Sequence, residues 1–144
     1  MDPAPHRRIS FSHWAVAFLT ATALLGACDG TPTAVDPVGS WGGEGIRLDV
    51  AAAGGTLEFD CAVGTIDAPL VLDENGAFVL PGTFTLGHGG PDIEGQEPVP
   101  VEATFTGTVA GDRMTLEGRF GAEDTRIGPY SLRKDRDPLL RKCQ

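Results

Sequence analysis

Histidine and serine are scarce in this 144-residue chain. Past residue 27 there is one histidine, His88, and there are two serines, Ser40 and Ser131. A Ser-His-acid triad would have to use His88, and neither serine sits in a G-x-S-x-G elbow. No G-x-G-x-x-G follows a strand-like run and no P-loop lysine occurs, so the usual phosphate cradles are excluded. Long apolar runs are missing too. The longest, Trp14 to Leu25, has twelve uncharged residues, whereas a spanning helix needs about 20. Aromatics make up only 7% of the chain, and no apolar pattern of period 3.6 appears after residue 27. A helical bundle is therefore not expected. Positive charge is also in short supply, with 9 basic against 19 acidic residues after residue 27, a formal charge of −10. Such a surface disfavours nucleic acid and anionic lipid headgroups and keeps a domain soluble.

What is present begins with a three-zone leader. His6, Arg7 and Arg8 form a basic zone, the run to Leu25 an apolar zone, and Gly26 and Ala27 a small-residue zone before Cys28. This is the layout of a secretory signal over residues 1–27. Leu25-Gly26-Ala27-Cys28 resembles the lipobox of bacterial lipoproteins. The resemblance implies lipidation of the Cys28 thiol, cleavage before it and acylation of the new amino terminus. Two acyl chains suffice for stable anchoring, so the expectation is a tethered envelope protein facing the periplasm or exterior. Asp29 resembles the inner-membrane retention signal of enterobacterial lipoproteins, a rule that is not general, and the choice of membrane stays open.

Residues 28–38, with two prolines, read as a flexible tether, and residues 39–144 as one domain. With Cys28 lipidated, Cys61 and Cys143 remain as a pair, a disulfide candidate in a secreted domain. Two separate buried thiols are the alternative. A metal site is disfavoured, because neither cysteine has a ligand neighbour at metal spacing, and no cofactor is expected.

The apolar pattern of the domain has period two. Ile46, Leu48 and Val50 alternate with charged residues, Gly54-Gly55 reads as a turn, and Leu57, Phe59 and Cys61 alternate next, which points Cys61 inward. Leu70 and Leu72 follow, then a turn at residues 73–76. Phe78 and Leu80 lead to Pro81-Gly82, with Phe84 and Leu86 beyond. After a long break, Val101 to Val109 and Met114 to Phe120 alternate across a Gly111-Asp112 turn, and a last strand runs near Ile127 to Arg133. About eight strands joined by tight turns predict an all-β fold, a small antiparallel up-and-down barrel, with a two-sheet sandwich as the competitor.

Gly39-Ser40-Trp41 resembles the Gly-x-Trp signature of lipocalin- and avidin-type barrels. That likeness implies a tryptophan plugging one barrel end under a late arginine, here Trp41 and Arg133, and a small hydrophobic ligand as a possible cargo. Trp41 to Ile46, Glu58 to Cys61, Gly64 to Ile66, His88 to Pro91 and Lys142-Cys143 also resemble a group of uncharacterised small secreted bacterial proteins. This second likeness implies a shared fold and a Cys61–Cys143 pairing.

The break GHGGPDIEGQEP, residues 87–98, is the best candidate for function, since loops this long in compact domains often carry it. It offers His88, Asp92, Glu94 and Glu97, with Glu44 as a further acid, for a cation, a proton or a partner protein. A solvated turn is the bland alternative, and the spacing fits no EF-hand or zinc pattern. A non-catalytic binding or structural domain is the leading expectation, with a hydrophobic carrier and a His88-based enzyme as rivals.

Overall fold

Alternation is realised strand by strand. The structure, a computed structural model, describes residues 35–87, 95, 97–141 and 143. It contains β1 (Gly39–Gly43), β2 (Ile46–Ala51), β3 (Gly54–Phe59), β4 (Ala62–Ile66), β5 (Ala77–Leu86), β6 (Val101–Ala110), β7 (Arg113–Phe120) and β8 (Thr125–Lys134). Each strand pairs antiparallel with the next, and β8 returns to β1, closing a barrel. Closure rules out the sandwich and leaves the sheet without a free end. Cys28 and the expected signal over residues 1–27 lie outside the described residues.

Three sequence expectations are corrected. Gly54-Gly55 is not a turn. The chain reverses at Ala52-Ala53, and Gly54 pairs with Ala51 as the first residue of β3. A Cβ at Gly54 would run into the Ile66 carbonyl, so glycine serves close strand approach here. Leu70 and Leu72 form no strand. Residues 67–76 connect β4 to β5, and Leu70 is buried against the barrel. Pro81-Gly82 does not interrupt the chain but lies inside the ten residues of β5. The Pro81 carbonyl accepts the Asp67 N–H at 3.0 Å. Its nitrogen faces the same side, just past the last β4 pair, Ile66 with Gly82, so the missing N–H falls where pairing with β4 ends.

Inward-facing positions fill the barrel. Trp41, Ile46, Leu48, Leu57, Phe59, Phe78, Phe84, Phe105, Met114, Leu116 and Leu132 are all buried, and no charged or polar side chain is buried among the described residues. Phe105, fully buried, occupies the middle. A Cβ at Gly64, Gly82 or Gly118 would stand 3.4, 3.1 or 3.1 Å from its ring. Three strands, β4, β5 and β7, thus give up side chains to make room for one large ring, the small-large alternation that a narrow barrel requires.

The antiparallel meander sorts the connections to two ends. The lower end receives the chain before β1, the β2–β3 and β6–β7 turns and residues 67–76. The upper end carries the β1–β2, β3–β4 and β7–β8 turns and the β5–β6 connection. Trp41 closes the lower end. Its Nε1–H donates to the Pro37 carbonyl at 2.8 Å, and Val35, Ala68, Leu70 and Leu72 pack against the same core.

Candidate functional site

The barrel seam is short. β1 pairs with β8 only through Trp41 with Lys134, Gly42 with Arg133 and Gly43 with Leu132. The chain after β8 reinforces it. Asp135 N–H donates to the Ser40 carbonyl at 2.8 Å, Leu139 N–H to the Gly43 carbonyl at 2.9 Å, and Gly45 N–H back to the Leu139 carbonyl at 2.9 Å. A Cβ at Gly42 would strike the Arg136 carbonyl, so Gly42 lets this strap lie flat on β1. At the upper end, Arg141 N–H donates to Asp60 Oδ1 at 2.7 Å, and Cys143 forms a disulfide with Cys61 across a Cα–Cα distance of 5.2 Å.

Cys61 does not face inward. Inward alternation ends at Phe59, which pairs with Ala62 across the two-residue Asp60-Cys61 turn, and Cys61 is exposed. The turn carries it outside the wall, where the strap can reach it.

Arg133 is not the cation over Trp41. Leu132 is buried, so its neighbour Arg133 projects outward, where Nη1 meets Asp112 Oδ2 at 2.8 Å. Lys134 takes the inner position instead. Its ammonium lies 5.7 Å from the centre of the Trp41 ring and donates to the Asp36 carbonyl at 2.6 Å. Trp41 is thus fully buried with Lys134, not Arg133, over its ring.

Of the acidic set, Glu44 stands exposed in the β1–β2 turn and Glu97 exposed in the β5–β6 connection, both at the upper end. His88, Asp92 and Glu94 lie outside the described residues. No group of metal-ligating side chains occurs among the described residues.

Sequence reasoning missed the feature that dominates the upper end, an apolar lip beside an aromatic floor. Phe84 and Phe120 stack with ring centres 4.2 Å apart, and Phe59 meets Phe84 edge-on at 5.5 Å and Tyr130 at 5.5 Å. Burial and then the charge of Asp60 push the Tyr130 phenol above its ordinary value. Next to this floor, a cleft of about 430 Å³ is lined by Phe84, Phe120, Val101 and Val99, with Glu123 at its edge. A second cleft, about 290 Å³, lies by the disulfide and contains Val63, Glu58 and Asp60. Leu86 and Pro98 line both and form the ridge between them. Leu86 is 61% exposed and Val99 77%, high values for large apolar side chains. The signal was present as Leu86 and Val99-Pro100-Val101 flanking the long break, but a two-residue period does not say which run ends outside the wall.

A broader groove of about 830 Å³ runs along the outer face of β5, β6 and β7. It is polar, lined by Thr83, Glu102, Thr104, Thr106 and Arg119, whose guanidinium meets Asp124 at 3.1 Å. Its hydroxyls and charges suit solvent. Comparison with protein families, curated proteins and solved structures returns no match.

Proposed function

We propose that this chain is a lipid-anchored protein of the bacterial envelope that works by binding, not by catalysis. The observation that carries the binding role is the exposed apolar lip at the upper end of an otherwise filled barrel. Leu86 at the end of β5 and Val101 at the start of β6 are open to solvent on the barrel wall, with exposed Val99 just before β6, at the end opposite the point where the chain joins β1. A carrier of a small hydrophobic ligand needs a hollow barrel, and Phe105 with its neighbours occupies that volume. Anchoring rests on the lipobox at Cys28. The Cys61–Cys143 disulfide supports an oxidising compartment, where such bonds persist.

Detergent phase partition of the chain expressed in a bacterium with its own leader tests the anchor. The parent is expected in the detergent phase and a Cys28→Ser variant in the aqueous phase. Equal partition of the two would contradict lipidation.

A further inference from the structure

We infer that the upper lip is a docking surface for a partner protein segment that presents two apolar side chains flanked by lysine or arginine. This deepens the binding role proposed above and rests on it. The two clefts share the Leu86–Pro98 ridge, so an occupant can straddle it and seat one side chain on each side. One seat offers Phe84, Val99, Val101 and Phe120, the other Val63 and the disulfide sulfurs. Among the described residues, every charged one lining the two seats is a carboxylate, namely Glu123 in the first and Glu58 and Asp60 in the second. Glu97 and Glu102 flank the apolar residues Pro98 to Val101 in sequence.

Apolar burial supplies the affinity of such a surface, and charges at its rim choose the partner and steer its approach. Carboxylates as the charged lining among the described residues, on a chain of formal charge −9, favour a basic occupant and oppose a second copy. The wall is preorganised, because β5 and β6 pair continuously from Ala77 with Thr108 to Phe84 with Val101. Ordering costs therefore fall on the partner.

The test uses the full chain carrying Cys28→Ser, which removes the proposed lipid site, so the outcome does not depend on acylation. The probes are three short peptides: alternating lysine and leucine, the same with glutamate for lysine, and the same with serine for leucine. Amide chemical-shift mapping locates each peptide and a titration gives its affinity. The lysine-leucine peptide is expected at Leu86, Val99, Val101 and Glu123, with both other peptides weaker by about tenfold or more. Leu86→Ser and Glu123→Lys, both on the solvent-facing rim, should each weaken it several-fold while leaving the rest of the spectrum in place. Shifts on another face of the barrel would keep a binding role but overturn this surface. Equal binding of the serine peptide would reduce it to nonspecific charge attraction and overturn it too. Lip resonances that move with protein concentration alone would identify a second copy as the occupant, against the inference.

Discussion

At the scale of single residues, Phe105 is the side chain around which the interior is arranged. It is fully buried, and glycines on β4, β5 and β7 abut its ring. Phe105→Ala leaves a cavity that these rigid strand backbones cannot close, and should cost about 3–5 kcal/mol in denaturant unfolding. Gly118→Ala errs in the other direction. Its Cβ would meet only side chains, Ile127 at 2.8 Å and Phe105 at 3.1 Å, and overpacking of this kind costs about 1–3 kcal/mol. Pairing it with Phe105→Leu should return part of that loss, and a double-mutant cycle with no coupling would show that the two do not share one space. Tyr130 gives a separate test. Its phenol pKa is raised by burial and then by Asp60, so the folded state holds its proton longer than the unfolded chain does. Its contribution to stability is complete below the unfolded value near pH 10 and is lost as pH rises through the folded value. Ultraviolet titration should find the tyrosine ionising above that ordinary value, and Asp60→Asn should bring it part of the way back while burial holds the remainder.

At the scale of elements, the weakest join is the seam between β1 and β8, and the strap with its disulfide secures it. The bridge closes 83 residues, from Cys61 to Cys143. Loop entropy alone puts its contribution at about 4–5 kcal/mol. Cys143→Ser should therefore lower Tm, and it should do so unevenly. Hydrogen exchange is expected to quicken at Gly42, Gly43 and Leu132 before it quickens along β5 and β6. Uniform loss of protection would mean that the strap does not hold the seam separately. Element boundaries also show what could be read from residue order alone. β2, β6 and β7 were legible because large apolar residues alternate with polar ones, whereas β8, without that alternation, was placed only near Ile127 to Arg133. The Asp73–Gly76 turn was legible because an aspartate and a glycine bracket it, and Asp73 Oδ1 does accept the N–H groups of Asn75 and Ala77 at 2.8 Å. β4 was hidden. Its inward residues are Ala62, Gly64 and Ile66, and at Gly64 the Phe105 ring lies where a side chain would project, so the alternation has little amplitude. Gly54-Gly55 and Pro81-Gly82 looked like punctuation for a related reason. Close backbone approach and a strand end use the same residues as turns, and only a neighbour in space tells them apart.

At the scale of the whole molecule, the two ends of the barrel differ in chemistry. The lower end is closed by Trp41, with Lys134 against its ring and the incoming chain hydrogen-bonded to its indole. The upper end gathers the disulfide, the aromatic floor and the apolar lip. Sequence alone pointed to the upper end through the 87–98 break, but through its acids and not through the valines and leucine beside it. Those apolar residues became distinguishable only when register placed their strands at the rim. The binding role proposed for the lip belongs to an exported, anchored chain, which makes export and lipidation the central claim of the account. Intact mass measurement of the protein extracted from bacterial envelopes tests it most directly. The account expects a chain that begins at Cys28, heavier by its acyl groups and lighter by the two hydrogens lost to the Cys61–Cys143 bond. A mass that still contains residues 1–27, or one with no added lipid, would contradict it.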